Sequence, residues 1–278
     1  FTIDEVIFAT NRHDKEHEFP VHAGYIARQI GARPDIPTLD LGGGCTGLLY
    51  AIRVAHNNLF AEEDKKKILV VGSERLSDMT DYSDRSTCVL FGDGAGAYLL
   101  ERRRKIQDKE GIIKNVAGGN PDIGNEEWPD GFLALKRKMG RKIRPAKDSE
   151  KKFEIYEQVQ NYLVMNGSEV FKFATSVMTE AVHKVLKETP YSLADVDVII
   201  PHGANIRIIA AAQKGLEKKG FKGKIFTNLE TYGNTSTASI PIAAEEAIRT
   251  GVLKKGDLYI LVAFGAGLTW GANLIRHV

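Results

Sequence analysis

Short apolar runs alternate with longer segments of helical spacing along the whole chain. Residues 3–10 read as a strand. A charged loop follows at 11–18, and Phe19-Pro20 opens a helix that runs to about residue 30. Residues 37–41 form a strand. The helix behind it, to about residue 59, is apolar on nearly every side, the signature of a helix enclosed in a core. A charged turn at 61–67 leads to Ile68-Leu69-Val70-Val71, a continuous apolar run of the kind an α/β sheet buries on both faces. Residues 86–97 pass from apolar to glycine-rich, and 98–101 read as another strand.

The same succession then returns. Residues 195–200 are strand-like, a helix starts near residue 206, and 224–229 are strand-like again. The turn at 232–236 opens a helix over about 238–250, and the apolar strand 258–263 ends in Gly265-Ala266-Gly267. In this alignment His202 falls near Asn11, and Asn234 falls near Cys45. The pattern predicts an α/β protein of two duplicated halves, residues 1–117 and 161–278, with two similar parallel-rich sheets packed together. The second copy is preceded by a helical stretch at 167–187 and a strand-like stretch at 111–116. The first copy has no counterpart of either, and the chain starts at Phe1 in mid-pattern, so a preceding segment with a strand and a helix is expected. Between the halves, residues 118–160 are rich in Gly, Pro and charge, with Lys136, Arg137, Lys138, Arg141, Lys142, Arg144 and Lys147 in one run. They read as a basic surface insertion, either a solvated loop or a docking surface for an acidic partner.

Composition narrows the function classes. A length of 278 residues suits one large domain or two fused halves, and a net charge of +2 gives no general attraction to nucleic acid. Two cysteines, Cys45 and Cys88, make no disulfide framework and point to a reducing, cytoplasmic setting. No apolar run approaches a membrane span, so no membrane partner is expected.

The candidate chemistry starts at Leu41-Gly42-Gly43-Gly44-Cys45-Thr46-Gly47, a strand end, a glycine turn and a cysteine where a helix begins. Unpaired N–H groups and the helix dipole there favour an anion, so the thiol pKa is expected to fall. This is the logic of a nucleophile elbow, with sulfur in place of oxygen. The same residues also fit a buried structural cysteine beside a turn. His202 and Asn234 likewise follow strands, at the sheet edge where α/β folds bind ligands. A histidine can move a proton or donate to an oxyanion, and an asparagine amide donates without adding charge. Phe91–Ala97 contains Gly-x-Gly-x-Gly but lacks the strand–turn–helix context of a dinucleotide loop. Cys88 is expected to be inert in an apolar strand. His13, His17 and His22 do not complete a metal-ligand pattern.

Five motifs carry a resemblance. Leu41-Gly-Gly-Gly-Cys45-Thr-Gly, Phe91-Gly-Asp-Gly-Ala-Gly-Ala97, Pro201-His202-Gly-Ala-Asn205-Ile-Arg207, Tyr232-Gly-Asn234-Thr-Ser and Phe264-Gly-Ala-Gly-Leu-Thr-Trp270-Gly occur in the order found in the β-ketoacyl-acyl-carrier-protein synthase III family. The resemblance implies a thiolase-like fold with a layered αβαβα core. It implies a Cys45-His202-Asn234 triad and an oxyanion site at the backbone N–H groups of Cys45 and Ala266. Cys45 would accept an acyl group from acyl-CoA. His202 and Asn234 would hold the thioester oxygen of malonyl-acyl carrier protein while carbon dioxide leaves, and the resulting carbanion would attack the acyl-Cys45 carbonyl. Substrate contacts are implied at Phe19, Arg85, Asn205 and Arg207, with a homodimer, and with CoA thioesters as substrates rather than any cofactor.

Four departures from the family pattern matter. Gly203 replaces a glutamine, Gly42–Gly44 replace small alanines, Ala266 stands where glycine is common, and the loop at 11–18 is long. They bear on acyl specificity more than on reaction class, leaving open a longer, branched or carboxylated primer. Two other classes remain. One is a cysteine hydrolase with a Cys-His-Asn triad, which would consume no malonyl thioester. The other is a silent partner subunit, which would not acylate Cys45.

Overall fold

Glu5–Ala9 (β1) is buried at every position, as the middle of a covered parallel sheet must be. A computed structural model of the protein describes residues 2–12, 21–103, 110–120, 126–128, 131–146 and 152–278. In it β1 is flanked in parallel by Thr38–Leu41 (β2) and Lys67–Arg75 (β3), and Asp93–Glu101 (β4) closes the order β2-β1-β3-β4 antiparallel to β3. Helix His22–Gln29 (α1) connects β1 to β2, and Gly47–Ala61 (α2) connects β2 to β3. Gly111–Gly119 (β5) begins the second sheet. Leu133–Pro145 (β6) and Phe153–Met165 (β7) stand apart as a two-stranded ribbon, and Gly167–Leu186 (α3) returns the chain to the body.

The second half repeats the first. Val198–Pro201 (β8), Ile206–Lys218 (α4), Lys224–Ile225 (β9), the one-turn helix Leu229–Tyr232 (α5), Ser239–Arg249 (α6), Leu258–Gly265 (β10) and Thr269–Arg276 (β11) follow in that order. The second sheet runs β5-β11-β10-β8-β9, with β8, β9 and β10 parallel. So β9, β8, β10 and β11 occupy the places of β2, β1, β3 and β4. Cys45, behind β2, and Asn234, behind β9, each precede a 3-10 turn or lie in one, Gly44–Thr46 and Ser236–Ala238, that runs into a central helix.

Those central helices, α2 and α6, form the middle layer. Leu48, Leu49, Ile52 and Ala55 of α2 and Ile240, Ala243, Ala244 and Ala247 of α6 share one core with Ile7, Val70, Ile200 and Leu261 of the two sheets. Helix α1 covers the outer face of the first sheet, and α3 covers that of the second beside α4. The layering is αβαβα. Among the described residues no helix is long and apolar enough to cross a membrane.

Three sequence expectations are corrected. The strand Gly111–Gly119, which a boundary at 117 assigns largely to the first half, pairs with β11 in the second sheet. The basic insertion at 118–160 is not a loop over its described length. Thirteen residue pairs join β6 to β7, from Leu133↔Met165 to Pro145↔Phe153. Strand alternation turns Lys136, Lys138, Lys142 and Arg144 to one face. There they meet the Trp128 ring, Asp81, the Ser77 carbonyl and Glu154 respectively. Leu135, Met139, Ile143, Phe153, Ile155 and Val159 share the opposite face and are exposed. Finally, Cys88 lies in a turn, half-buried, and not in an apolar strand.

Candidate active site

The nucleophile candidate is set by two glycines from opposite halves. Gly44 takes φ +57°, and a Cβ there would sit 2.8 Å from the Ala266 N. At Gly265 a Cβ would collide with the Cys45 N and lie 3.2 Å from its Cα. The end of β10 can therefore close on the cysteine turn only because both positions lack a side chain. Ala266 is not among the residues with left-handed backbone; Gly267 takes that conformation, at φ +123°. The alanine at the middle of this turn is thus unstrained. Thr46 Oγ1 and Thr269 Oγ1, 2.6 Å apart, tie the two turns together.

Cys45 lies in the 3-10 turn that leads into α2, as the motif predicts, but its thiol pKa moves opposite to expectation. The residue is half-buried, and desolvation by the surrounding protein pushes the thiol up to about 12, with the Ser236 hydroxyl opposing the shift and Glu74 adding to it. Desolvation outweighs the helix-terminus field. The resting sulfur is a neutral thiol.

His202 is 1% exposed at the end of β8. Its N–H donates to the Val262 carbonyl (2.8 Å), and its ring stands edge-on to Phe264 at 5.8 Å. Burial lowers the imidazole to about 3, so the ring is neutral. Its Nδ1 lies 2.7 Å from Ser239 Oγ, which in turn lies 2.8 Å from the Ser236 carbonyl. Asn234 is also buried. Its backbone N–H donates to the Leu90 carbonyl (2.8 Å) and its carbonyl accepts from the Gly92 N–H (2.9 Å), so the turn ahead of β4 braces it. Its Oδ1 accepts from the Ser236 N–H at 2.9 Å, which leaves Nδ2 as the donating end. Ser236 Oγ donates to Cys45 Sγ at 3.3 Å. The segment 234–239 thus touches Cys45 and His202 and contains Asn234.

The other predicted contacts are less central. Asn205 caps α4, its Oδ1 accepting from the Arg207 N–H at 2.8 Å, and Arg207 is exposed in the first turn. Arg85 is exposed in the turn that ends at Leu90. Phe19, His13 and His17 lie outside the described residues. His22 packs beside Asp40, whose carboxylate accepts the His22 and Ala23 N–H groups and so caps α1. Gly203 is buried, yet a Cβ there would meet only ordinary contacts of 3.6–3.9 Å.

Sequence reasoning missed a buried polar group behind Cys45: Thr10, Asn11, Glu74, Ser236 and Thr237. The signal was in β3, where the period of two that buries Ile68, Val70 and Gly72 also buries Glu74. Desolvation raises this carboxyl to about 7 against the hydroxyl and N–H donors around it.

With this geometry in place, the comparisons are informative. The 3-oxoacyl-[acyl-carrier-protein] synthase III family matches residues 39–121, and its C-terminal part matches residues 186–277. The chain belongs to this family. It is 40% identical to the β-ketoacyl-[acyl-carrier-protein] synthase III of Natranaerobius thermophilus over 99% of this chain and 78% of that one. The Coxiella burnetii enzyme of the same name is 36% identical over 99% of this chain and 76% of its own length. Among solved structures, the 3-oxoacyl-[acyl-carrier-protein] synthase III of Aquifex aeolicus superposes with a TM-score of 0.80 at 36% identity, covering 99% of this chain and 77% of that one. The thiolase-like fold and the condensing-enzyme class expected from the motifs are therefore those of this chain.

Proposed function

We propose that this condensing enzyme joins an acyl-CoA primer to malonyl-acyl carrier protein with loss of carbon dioxide, giving a 3-oxoacyl-acyl carrier protein that starts a fatty acid. The observation that carries the reading is the 234–239 turn, which links a half-buried thiol, a neutral imidazole and a fixed amide in one site. Cys45 attacks the acyl thioester; its S–C bond forms, the acyl C–S bond to coenzyme A breaks, and the thiol proton leaves with the coenzyme A thiol. The backbone N–H groups of Cys45 and Ala266 hold the tetrahedral oxyanion. Malonyl thioester then enters, and His202 and Asn234 donate to its carbonyl oxygen as the C–C bond to carbon dioxide breaks. Neutral donors suit this step, because negative charge develops on oxygen and fixed dipoles need no reorganisation to receive it. Decarboxylation itself supplies the carbanion, which forms the new C–C bond to the acyl carbonyl as the C–S bond to Cys45 breaks and the thiolate regains a proton, so the steps call on no cofactor. Substrate contacts at Phe19, Arg85, Asn205 and Arg207, a homodimer and a cytoplasmic location belong to the same proposal.

Intact-protein mass spectrometry after incubation with a panel of acyl-CoAs tests it. One acyl adduct, absent from Cys45→Ser, is expected, and the adduct names the primer. His202→Ala and Asn234→Ala should still acylate but lose malonyl decarboxylation. Free acid released without an adduct would favour a hydrolase. No adduct and no release of CoA would mark a silent subunit.

A further inference from the structure

We propose that Ser236 is a positioning residue for Cys45, and that Glu74 and Asn11 act through it by fixing the direction of its hydroxyl. The inference rests on Cys45 as the nucleophile. The chain of contacts begins at Glu74, which is 4% exposed. Its carboxylate accepts from Asn11 Nδ2 (2.7 Å), Thr237 Oγ1 (2.9 Å), the Asn11 backbone N–H (3.2 Å) and Thr10 Oγ1 (3.4 Å). Every one of these partners is a donor, so the position suits a group that only accepts. The Asn11 amide nitrogen carries two hydrogens. One goes to Glu74, and the other goes to Ser236 Oγ at 2.8 Å.

A hydroxyl that accepts from Asn11 keeps its own proton free for another acceptor, and that acceptor is Cys45 Sγ at 3.3 Å. If the Asn11 amide flipped, its oxygen would face the Glu74 carboxylate and would also draw the Ser236 proton away from sulfur. Glu74 therefore selects the orientation of the amide, and the amide selects the direction of the hydroxyl. The backbone contributes as well. Ser236 sits at φ +50°, a left-handed conformation that side-chain-bearing residues seldom adopt. Its N–H is held by Asn234 and its carbonyl by Ser239. Strain of this kind persists only where the surroundings impose it, and here it places one hydroxyl against the nucleophile. A donor to sulfur matters most when sulfur carries charge, so the chain favours the thiolate over the thiol.

Alkylation of the full-length protein by iodoacetamide tests this without any acyl substrate. The rate at Cys45 is followed by peptide mass spectrometry from neutral to alkaline pH, with Cys88 as internal control. Among the described residues the titratable groups packed around this chain are Glu74 and His202, and Glu74→Gln is measured alone and combined with Ser236→Ala. Ser236→Ala should slow Cys45 about tenfold at neutral pH, as expected for loss of one hydrogen bond to an ionised group, and move the rise of the profile to higher pH. Ser236→Gly relieves the left-handed backbone and should be slowed equally, which separates the hydroxyl from the strain. Asn11→Leu should shift the profile the same way, and Glu74→Gln, which also removes a charge that raises the thiol, should move it further toward high pH in the parent than in the Ser236→Ala background, while the Cys88 rate should not change. A parental profile in Ser236→Ala overturns the proposal. So does an effect of Glu74→Gln that is equal in the parent and in the Ser236→Ala background. A shifted alkylation profile in a protein that takes no acyl group from any acyl-CoA would leave the positioning role standing and refute the substrate reading.

Discussion

Asp81→Ala should open the β6–β7 ribbon without unfolding the rest of the protein. Asp81 is 2% exposed. Its carboxylate accepts from Ser83 Oγ (2.6 Å), Lys138 Nζ (2.7 Å), the Ser83 N–H (2.9 Å) and the Arg141 N–H (3.0 Å). Burial alone would raise this carboxyl, but those four donors hold it well below the usual carboxylate range. Removing one member of a buried ion pair costs about 3–5 kcal/mol, because the other charge and the donors lose their partner. Lys138 is 36% exposed and regains some water, so the low end applies, about 3 kcal/mol. The loss falls on the ribbon's attachment, since Asp81 joins it to the turn after β3. It corresponds to about a hundredfold rise in the open population. Trypsin under native conditions reads that population directly, because β6 carries Lys136, Arg137, Lys138, Arg141, Lys142 and Arg144. Cleavage inside β6 should accelerate about a hundredfold while sites in α3 and α4 hold their parental rates. Since the native carboxyl lies below its ordinary value, the contribution is complete at neutral pH and is lost only as pH falls below the ordinary aspartate range. Equal cleavage of parent and variant within β6 at neutral pH would refute this account of the attachment.

Other expectations follow from the same contacts. Gly265→Ala drives a methyl into the Cys45 backbone at a point where β10 is held in register with Thr269; it should cost about 1–3 kcal/mol and abolish self-acylation, and a variant that acylates at the parental rate would show that the turn can yield. Gly203→Ala meets only ordinary contacts and should change stability by less than about 0.5 kcal/mol in urea unfolding, so a loss above about 1 kcal/mol would contradict the space described there. Two buried groups should shape the pH dependence of the urea midpoint. His202 is neutral in the fold with a value near 3 against an ordinary 6.5, so the unfolded chain binds the extra proton and stability climbs as pH rises through that window. Glu74 has a value near 7 against 4.5, so the native state holds the proton and stability falls, by about 3 kcal/mol in total, as pH rises from 4.5 to 7. Glu74→Gln should remove the second slope and keep the first; an unchanged curve would mean that Glu74 stays ionised throughout.

Much of the fold was legible because burial on both faces leaves an unmistakable apolar run, as in Glu5–Ala9 and Leu258–Gly265, and because those runs recur in a fixed order. The positions of Cys45, His202 and Asn234 followed from that repeat. The ribbon was not legible. Lys136, Lys138 and Lys142 lie on the inward face, where they meet Trp128, Asp81 and Ser77 from other parts of the chain, while the ribbon's apolar residues face outward. A pattern inverted in this way reads as solvated charge. The state of the thiol was hidden for a related reason. A helix terminus is visible in sequence, but the groups that exclude water from Cys45 arrive from the second half. The bond between Asn11 and Ser236 spans 225 residues and leaves no local trace in either segment.

The equivalence of Cys45 and Asn234 has a wider consequence. Had two identical single-half chains associated to build the same pair of sheets, symmetry would have placed the same amino acid at both positions. Such an ancestor could hold two thiols or two amides, never one of each. Joining the copies in one polypeptide breaks that symmetry, so one loop can specialise in attack and its twin in receiving charge. It also makes the chemistry a property of the joined molecule: either half produced separately would carry its own residue, and no site.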